Sequence, residues 1–363
     1  MSALDRLCAG RVYSFLNCDT GRHLSVAGVS RFLLEGEEAF TLRAGRSFVS
    51  ARADALTEQP AGFSLIPFGR GRFALQGPAG FLADDDEGLA PVCHPVLRRE
   101  AEDASALWYP TAEGEKEPLK IMLLGDSITF GSCPDVPEED WVGCAPVLSA
   151  ALAKREENRF CLVGSHRQKK SAVSDPALYR REGHPGWFTE DVFRLNPETR
   201  GLCDILDDCM GKYRPDVVLS QMGTNDTAFT MGRRGRGEEE WTEEWMDEVY
   251  ARLGRYAGML LNRLPMTGKL VLATAPDTTR TACFHRWLCE YNRRLPAFVE
   301  GLQKRGYAVF FADTFTPIAA STPEKGLCSD QVHLSPQGYR AMGLAYEQVL
   351  GRLFEGPLGQ GKE

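Results

Sequence analysis

The sequence predicts a two-part chain: an all-β region, then an α/β region built on a doubly wound parallel sheet. Three observations predict it. Residues 11 to 109 alternate apolar and polar at period two between turn signals. Further on, near-continuous apolar runs alternate with helical patterns, the mark of strands buried on both faces. Between the two lies Pro110-Thr111-Ala112-Glu113-Gly114-Glu115-Lys116-Glu117-Pro118, polar, charged and bracketed by prolines, which is linker composition. The boundary drawn from it gives residues 1–112 to the β region and 113–363 to the α/β region, and implies that the second part can fold alone.

In the β region, Val12-Tyr13-Ser14-Phe15-Leu16 and Arg22-His23-Leu24-Ser25-Val26 are joined by the turn residues Asp19-Thr20-Gly21. A related unit starts at Ser47-Phe48-Val49-Ser50-Ala51, and a third at Arg72-Phe73-Ala74-Leu75-Gln76 with Gly80-Phe81-Leu82-Ala83. Each unit closes on a short strand: Ala39-Phe40-Thr41-Leu42, Gly62-Phe63-Ser64-Leu65 and Ala106-Leu107-Trp108-Tyr109. Three such units resemble a β-trefoil of the ricin or fascin kind. Ricin-type modules carry Gln-x-Trp at the closing strand; here Phe-x-Leu stands there twice. A carbohydrate ligand for this region and a purely structural role both stay open.

In the α/β region the strands read as Ile121 to Leu124, Phe160 to Val163, Asp216 to Ser220, Lys269 to Thr274 and Val309 to Ala312. Helices fill the gaps: about Gly143 to Lys154, Leu202 to Tyr213, Thr242 to Leu264 and Phe284 to Lys304. A last one opens with Ser335 as N-cap and Pro336 at the first position, then repeats Tyr339, Met342, Tyr346, Val349 and Leu353 on one face. The segment Asp226 to Trp241, with its Gly232-Arg233-Arg234-Gly235-Arg236-Gly237 run, reads as a loop beside a strand end.

Composition narrows the function classes. The net charge of −8 argues against a general nucleic-acid binder, and the short clusters Arg167-Gln168-Lys169-Lys170 and Arg233-Arg234-Gly235-Arg236 read as solvated loops. No basic stretch followed by an apolar core opens the chain, so no signal peptide is expected. No apolar run approaches the ~20 residues that cross a bilayer, so no membrane partner is expected. Eleven cysteines without a Cys-x-x-Cys pair fit reduced, buried thiols in a cytoplasm better than a disulfide frame or a zinc site. Cys93-His94 is the one adjacent ligand pair and has no second half, so burial is its expected role.

Four segments fall at strand ends. They are Gly125-Asp126-Ser127-Ile128-Thr129, Glu182-Gly183-His184-Pro185-Gly186-Trp187, Gly223-Thr224-Asn225-Asp226 and Asp330-Gln331-Val332-His333. Acyl-ester hydrolysis needs a nucleophile, a base within hydrogen-bond reach and donors for the oxyanion. Ser127 offers the nucleophile and His333 the base, and one local turn can bring Asp330 to the other imidazole nitrogen. Plainer readings stand beside these: Ser127 or Asp330 as a helix cap, Asn225 as a turn residue. Asp126 and Asp226 read as loop-holding residues, and His184 as a loop residue. His23, His94, His166 and His285 have no partner in the sequence and read as surface or structural.

Together the four segments resemble the four blocks of the SGNH, or GDSL, hydrolase superfamily, in that family's order, over roughly residues 119 to 354. The resemblance implies a flavodoxin-like three-layer α/β/α sandwich with a five-stranded parallel sheet. It implies a catalytic triad of Ser127, Asp330 and His333. The implied oxyanion donors are the N–H groups of Ser127 and Gly186, with Gly183 the alternative to Gly186, and the side chain of Asn225. Phe160-Cys161-Leu162-Val163-Gly164-Ser165, the Glu182 to Trp187 segment and Asp330 to Tyr339 are similar to carbohydrate esterase family three, the acetyl xylan esterases. That similarity implies removal of acetyl groups from sugar hydroxyls without metal or organic cofactor. Pro185 and Trp187 suggest a stiff loop walling a small acyl pocket. The rivals are a lipase-like or thioesterase activity, and a binding scaffold with an inactive hydrolase fold.

Overall fold

The described part of residues 11–112 turns its alternation into a mostly antiparallel sheet. The structure, a computed structural model, describes residues 11–18, 20–35, 40–44, 46–50, 55–59, 61–67, 72–93, 95–98, 107–152, 154, 160–166, 179–190, 201–227, 243–321 and 326–355. Among them, twelve strands form in the first region: β1 (Val12–Asn17), β2 (His23–Leu24), β3 (Phe32–Glu35), β4 (Thr41–Ala44), β5 (Ser47–Val49), β6 (Leu56–Thr57), β7 (Ser64–Pro67), β8 (Phe73–Gly77), β9 (Gly80–Ala83), β10 (Val92–Cys93), β11 (Val96–Arg98) and β12 (Leu107–Ala112). The first and last pair antiparallel, with Phe15 opposite Pro110. The pairs β4 with β5 and β7 with β8 repeat that arrangement in the other two units. Phe15, Phe32, Leu34, Phe63, Leu75 and Trp108 fill the interior. The indole of Trp108 keeps its N–H satisfied by donating to the Leu82 carbonyl at 2.9 Å. The strands β3, β6, β10 and β11 are not foreseen from the sequence; three of them are two or three residues long, too short to show a period.

The proline-bracketed segment is not a free linker. Pro110 to Ala112 complete β12 and are buried. Proline is tolerated there because β8 pairs β12 at Leu107 and Trp108 and has already ended. Beyond it, Glu113 meets Arg31 at 3.3 Å, Glu115 meets Arg11 at 3.6 Å, and Glu117 meets His23 at 3.3 Å. Linker-like composition hid charges that have partners elsewhere in the chain.

The second region is the expected sandwich. Its strands are β13 (Leu119–Gly125), β14 (Phe160–Val163), β15 (Glu182–Gly183), β16 (Val217–Gln221), β17 (Lys269–Ala273) and β18 (Val309–Ala312). Five run in the order β14-β13-β16-β17-β18, all parallel, and the two-residue β15 adds to the end of β13. Helices Glu243–Arg263 and Ala282–Lys304 bury Leu253, Tyr256, Leu288 and Tyr291 on one face. Helices Ala145–Leu152 and Pro336–Glu355 bury Leu148, Met342, Tyr346 and Val349 on the other. Ser335 Oγ accepts from Gly338 N–H at 3.3 Å, as the cap reading requires. The helix expected from Leu202 begins as a 3₁₀ turn, Leu202–Ile205, before Leu206–Tyr213. Both basic clusters, His94 and most of the 226–241 loop lie outside the described residues. Among the described residues, no helix is long and apolar enough to cross a membrane.

The two regions share one core. Leu16, Cys18, Ala74, Leu107 and Tyr109 belong to the same buried cluster as Met122, Cys161, Val163 and Met210. The Cys161 thiol donates to the Cys18 carbonyl at 3.1 Å. Asp86, from the turn after β9, binds Arg180 at 2.7 Å and Lys212 at 2.8 Å across the boundary. A cleft of about 800 Å³ also lies there, lined by His23, Glu117, Lys120, Asp216 and Arg263. It opens at the amino-terminal ends of β13 and β16, whereas parallel sheets of this kind bind substrates at the opposite ends.

Candidate active site

The strand β13 delivers Ser127 to the carboxyl edge of the sheet. At Gly125 any Cβ would fall 2.2 Å from Thr129 Oγ1 and 2.4 Å from the Gln221 carbonyl, so only glycine lets β13 and β16 end this close together. Asp126 then caps a one-turn helix, Ser127–Phe130, by accepting from Ile128 N–H at 2.9 Å. Burial pushes the Asp126 carboxyl up to about 7.

After β18 the chain makes a tight turn before the last helix. Cys328 N–H donates to the His333 carbonyl at 2.8 Å, and Gln331, at φ 62°, is held by Thr278 Oγ1 at 2.7 Å. Within that turn, Asp330 Oδ1 accepts from the N–H groups of Val332 and His333 at 3.1 and 3.0 Å. Its Oδ2 lies 2.5 Å from His333 Nδ1, and His333 Nε2 lies 2.9 Å from Ser127 Oγ. Burial alone would raise the Asp330 pKa, but the imidazole and both backbone N–H groups hold it below the usual carboxylate range. The charged carboxylate therefore accepts a hydrogen bond from Nδ1–H, which fixes that tautomer and leaves Nε2 free to accept from the serine hydroxyl. The two loops are also braced on each other. Tyr339 OH donates to Ser132 O at 2.8 Å, Ser329 N–H and Oγ donate to Asp135, and Cys133 Sγ lies 3.3 Å from Cys328 Sγ.

The remaining predicted residues gather on the loop after β15. Gly183 pairs with Gly125, and His184 N–H donates to the Gly125 carbonyl at 2.9 Å, so the loop leaves directly beside the serine turn. Gly183 is buried in that pairing, while Gly186 is exposed in the turn at φ 78°, a conformation that favours glycine. The side-chain amide of Asn225 donates to the Trp187 carbonyl at 2.8 Å, and Asp226 accepts from Thr189 Oγ1 at 2.7 Å. Asn225 and Asp226 thus brace this loop, and the second amide hydrogen of Asn225 remains for another acceptor. Trp187 is half-buried and stacks on His184, with ring centroids 4.2 Å apart.

Sequence reasoning missed the partners of several histidines. Glu182 Oε1 meets His184 Nε2 at 2.6 Å and Ser165 Oγ at 2.8 Å; Oε2 accepts from Ser165 N–H at 2.7 Å. The His166 ring meets His184 edge-on at 5.0 Å. Burial pushes His166 down to about 4; burial would raise Glu182, yet its bonds to His184 and Ser165 hold it low. His184 and His166 are therefore not isolated loop or surface residues. His23 pairs with Glu117, and His285 Nδ1 lies 2.5 Å from Asp277 Oδ1. One signal was available: Glu182 and His184 stand two apart in an extended segment, so they share a face.

The model of the GDSL-like Lipase/Acylhydrolase family matches residues 123–341. A multidomain esterase of Ruminococcus flavefaciens is 27% identical over 251 residues, 65% of this chain, and the chain spans 29% of that relative's length. A carbohydrate esterase family 3 structure from Talaromyces cellulolyticus aligns at 21% identity and a TM-score of 0.48, over 65% of this chain and 98% of its own. A Clostridium thermocellum family 3 carbohydrate esterase aligns at 20% identity and a TM-score of 0.46, over 66% and 100%.

Proposed function

Because the chain belongs to the GDSL-like Lipase/Acylhydrolase family, we propose that it is a serine esterase that hydrolyses small acyl esters, favouring O-acetyl groups on carbohydrates. The observation that carries this reading is the unbroken chain from Ser127 Oγ through His333 to Asp330, at 2.9 and 2.5 Å. Ser127 Oγ attacks the ester carbonyl while His333 Nε2 takes its proton. Asp330 holds the tautomer and stabilises the imidazolium. The N–H groups of Ser127 and Gly186 and the free amide hydrogen of Asn225 receive the developing oxyanion. His333 then protonates the leaving alcohol, and water releases the acyl group from Ser127 by the same steps in reverse.

Residues 113–363 carry this chemistry, and residues 1–112 form a β-trefoil-like region; the three strand pairs β1·β12, β4·β5 and β7·β8 support that reading. Its carbohydrate affinity is a separate question, answered by glycan binding to the Ser127→Ala protein. None of the ten cysteines among the described residues forms a disulfide bond, which supports a cytoplasmic setting.

The test is kcat/KM for p-nitrophenyl esters of increasing acyl length and for acetylated xylo-oligosaccharides. Acetyl esters should be cleaved fastest, with Trp187→Ala flattening the preference. Equal rates on acetyl and octanoyl esters would favour the lipase-like or thioesterase reading. Absence of hydrolysis, with no labelling of Ser127 by a fluorophosphonate, would leave a binding scaffold.

A further inference from the structure

His166, Glu182 and His184 have no part in the acyl transfer proposed above, yet they form a second chemical cluster beside it. Two segments supply them, and the backbone fixes their spacing. His166 N–H donates to Arg181 O and Arg181 N–H to His166 O, each at 3.0 Å. Glu182 sits in β15, paired with Leu124, and His184 is anchored through its own N–H to Gly125 O. The three side chains therefore hang from paired strands near the end of β13, as a prearranged site requires.

One ligand atom from each residue lies within 4.8 Å of the other two. At metal–ligand distances of about 2.0–2.2 Å, the donors of a tetrahedral site stand about 3.3 Å apart, so modest side-chain rotation brings all three onto one centre. Two imidazoles and one carboxylate suit a borderline ion; Ca²⁺ and Mg²⁺ ask for more oxygens than this cluster offers. An outer shell is present as well. Ser165 donates to both carboxylate oxygens of Glu182, and its hydroxyl lies 3.3 Å from His166 Nδ1. Such partners orient metal ligands. Phe130 packs edge-on against His166, and Trp187 covers one face of His184.

We propose that His166, Glu182 and His184 form a three-ligand site for a divalent first-row transition-metal ion of the Zn²⁺ class. The ion replaces the direct Glu182–His184 contact, turns the His184 ring and carries the stacked Trp187 with it. Metal occupancy thus acts on the loop that bears Gly186, without entering the Ser127–His333–Asp330 chain. This revises, at one place outside those residues, the sequence expectation that the chain holds no metal.

The test strips the full chain with a chelating resin and titrates it with Zn²⁺ against a chromophoric chelator. One equivalent should bind, and His166→Ala and His184→Ala should each lower the affinity by about tenfold or more. Folding of both variants is checked by circular dichroism; if His184→Ala is damaged, His166→Ala alone decides. Co²⁺ in place of Zn²⁺ should give the visible absorption of a four- or five-coordinate nitrogen–oxygen site in wild type and not in His166→Ala. No uptake by wild type, or uptake unchanged in the folded variants, would overturn the proposal. So would a thiolate-to-cobalt charge-transfer band, which would put the ion on cysteine. None of these readouts depends on esterase activity.

Discussion

Two polar clusters stand on either side of the regional boundary, one fully buried and one half-buried, and they are closed differently. In the antiparallel region Arg22 is fully buried against Asp84: Nε donates to Oδ2 at 2.8 Å, a second donor reaches Oδ1, and Nη1 reaches the Glu87 carbonyl at 2.5 Å. Thr20 Oγ1 adds another bond to Asp84 at 2.5 Å. Each strong donor ends on an acceptor within the cluster. In the sandwich, Asp330 and His333 are joined just as closely, but the chain ends on a serine hydroxyl at the carboxyl edge of the sheet. A closed ionic network contributes to stability and specificity. An equally tight network that ends on a serine hydroxyl can do chemistry.

Mutations break this comparison at different points. Ser127→Ala and His333→Ala should each lower kcat by about 10⁴-fold or more, with thermal unfolding unchanged. Asp84→Ala should do the reverse. It leaves Arg22 buried without its partner and costs about 3–5 kcal/mol by chemical denaturation, while the molecules that stay folded keep their turnover. Asn225→Ala removes the proposed oxyanion donor and should cost about 10²-fold in kcat.

The smallest effects are in pH dependence, and two carboxylates are expected to move in opposite directions. Burial would raise Asp86, but Arg180 and Lys212 hold it below its ordinary value. Its stabilising contribution is therefore complete above the unfolded-state value of ~3.9 and lost as pH falls through the folded value. Asp126 is raised to about 7 by burial. Its ionisation opposes folding, so stability falls as pH climbs from ~4 towards neutrality. Denaturation midpoints across this range should show a weaker acid-side loss in Asp86→Asn and a weaker neutral-side loss in Asp126→Asn. Parallel curves for wild type and both variants would reject these assignments.

The parallel strands were legible because they are buried on both faces: runs such as Phe160-Cys161-Leu162-Val163 carry their own signal. The serine and histidine turns were legible for a similar reason, since each packs its chemistry into a few consecutive residues. What escaped was pairing at a distance. Nothing local tells that Glu117 faces His23, or that His166 pairs through Arg181 back towards Glu182. The strand Val92–Cys93 exists only because β2 lies alongside to receive it.

The shared core has a consequence for how the molecule melts. Two sheets of such different architecture would ordinarily unfold as separate cooperative units. Here Leu16, Cys18 and Tyr109 are sealed into the same interior as Met122, Cys161 and Val163. Loosening either sheet wets the other, so calorimetry should record one transition whose van't Hoff and calorimetric enthalpies agree.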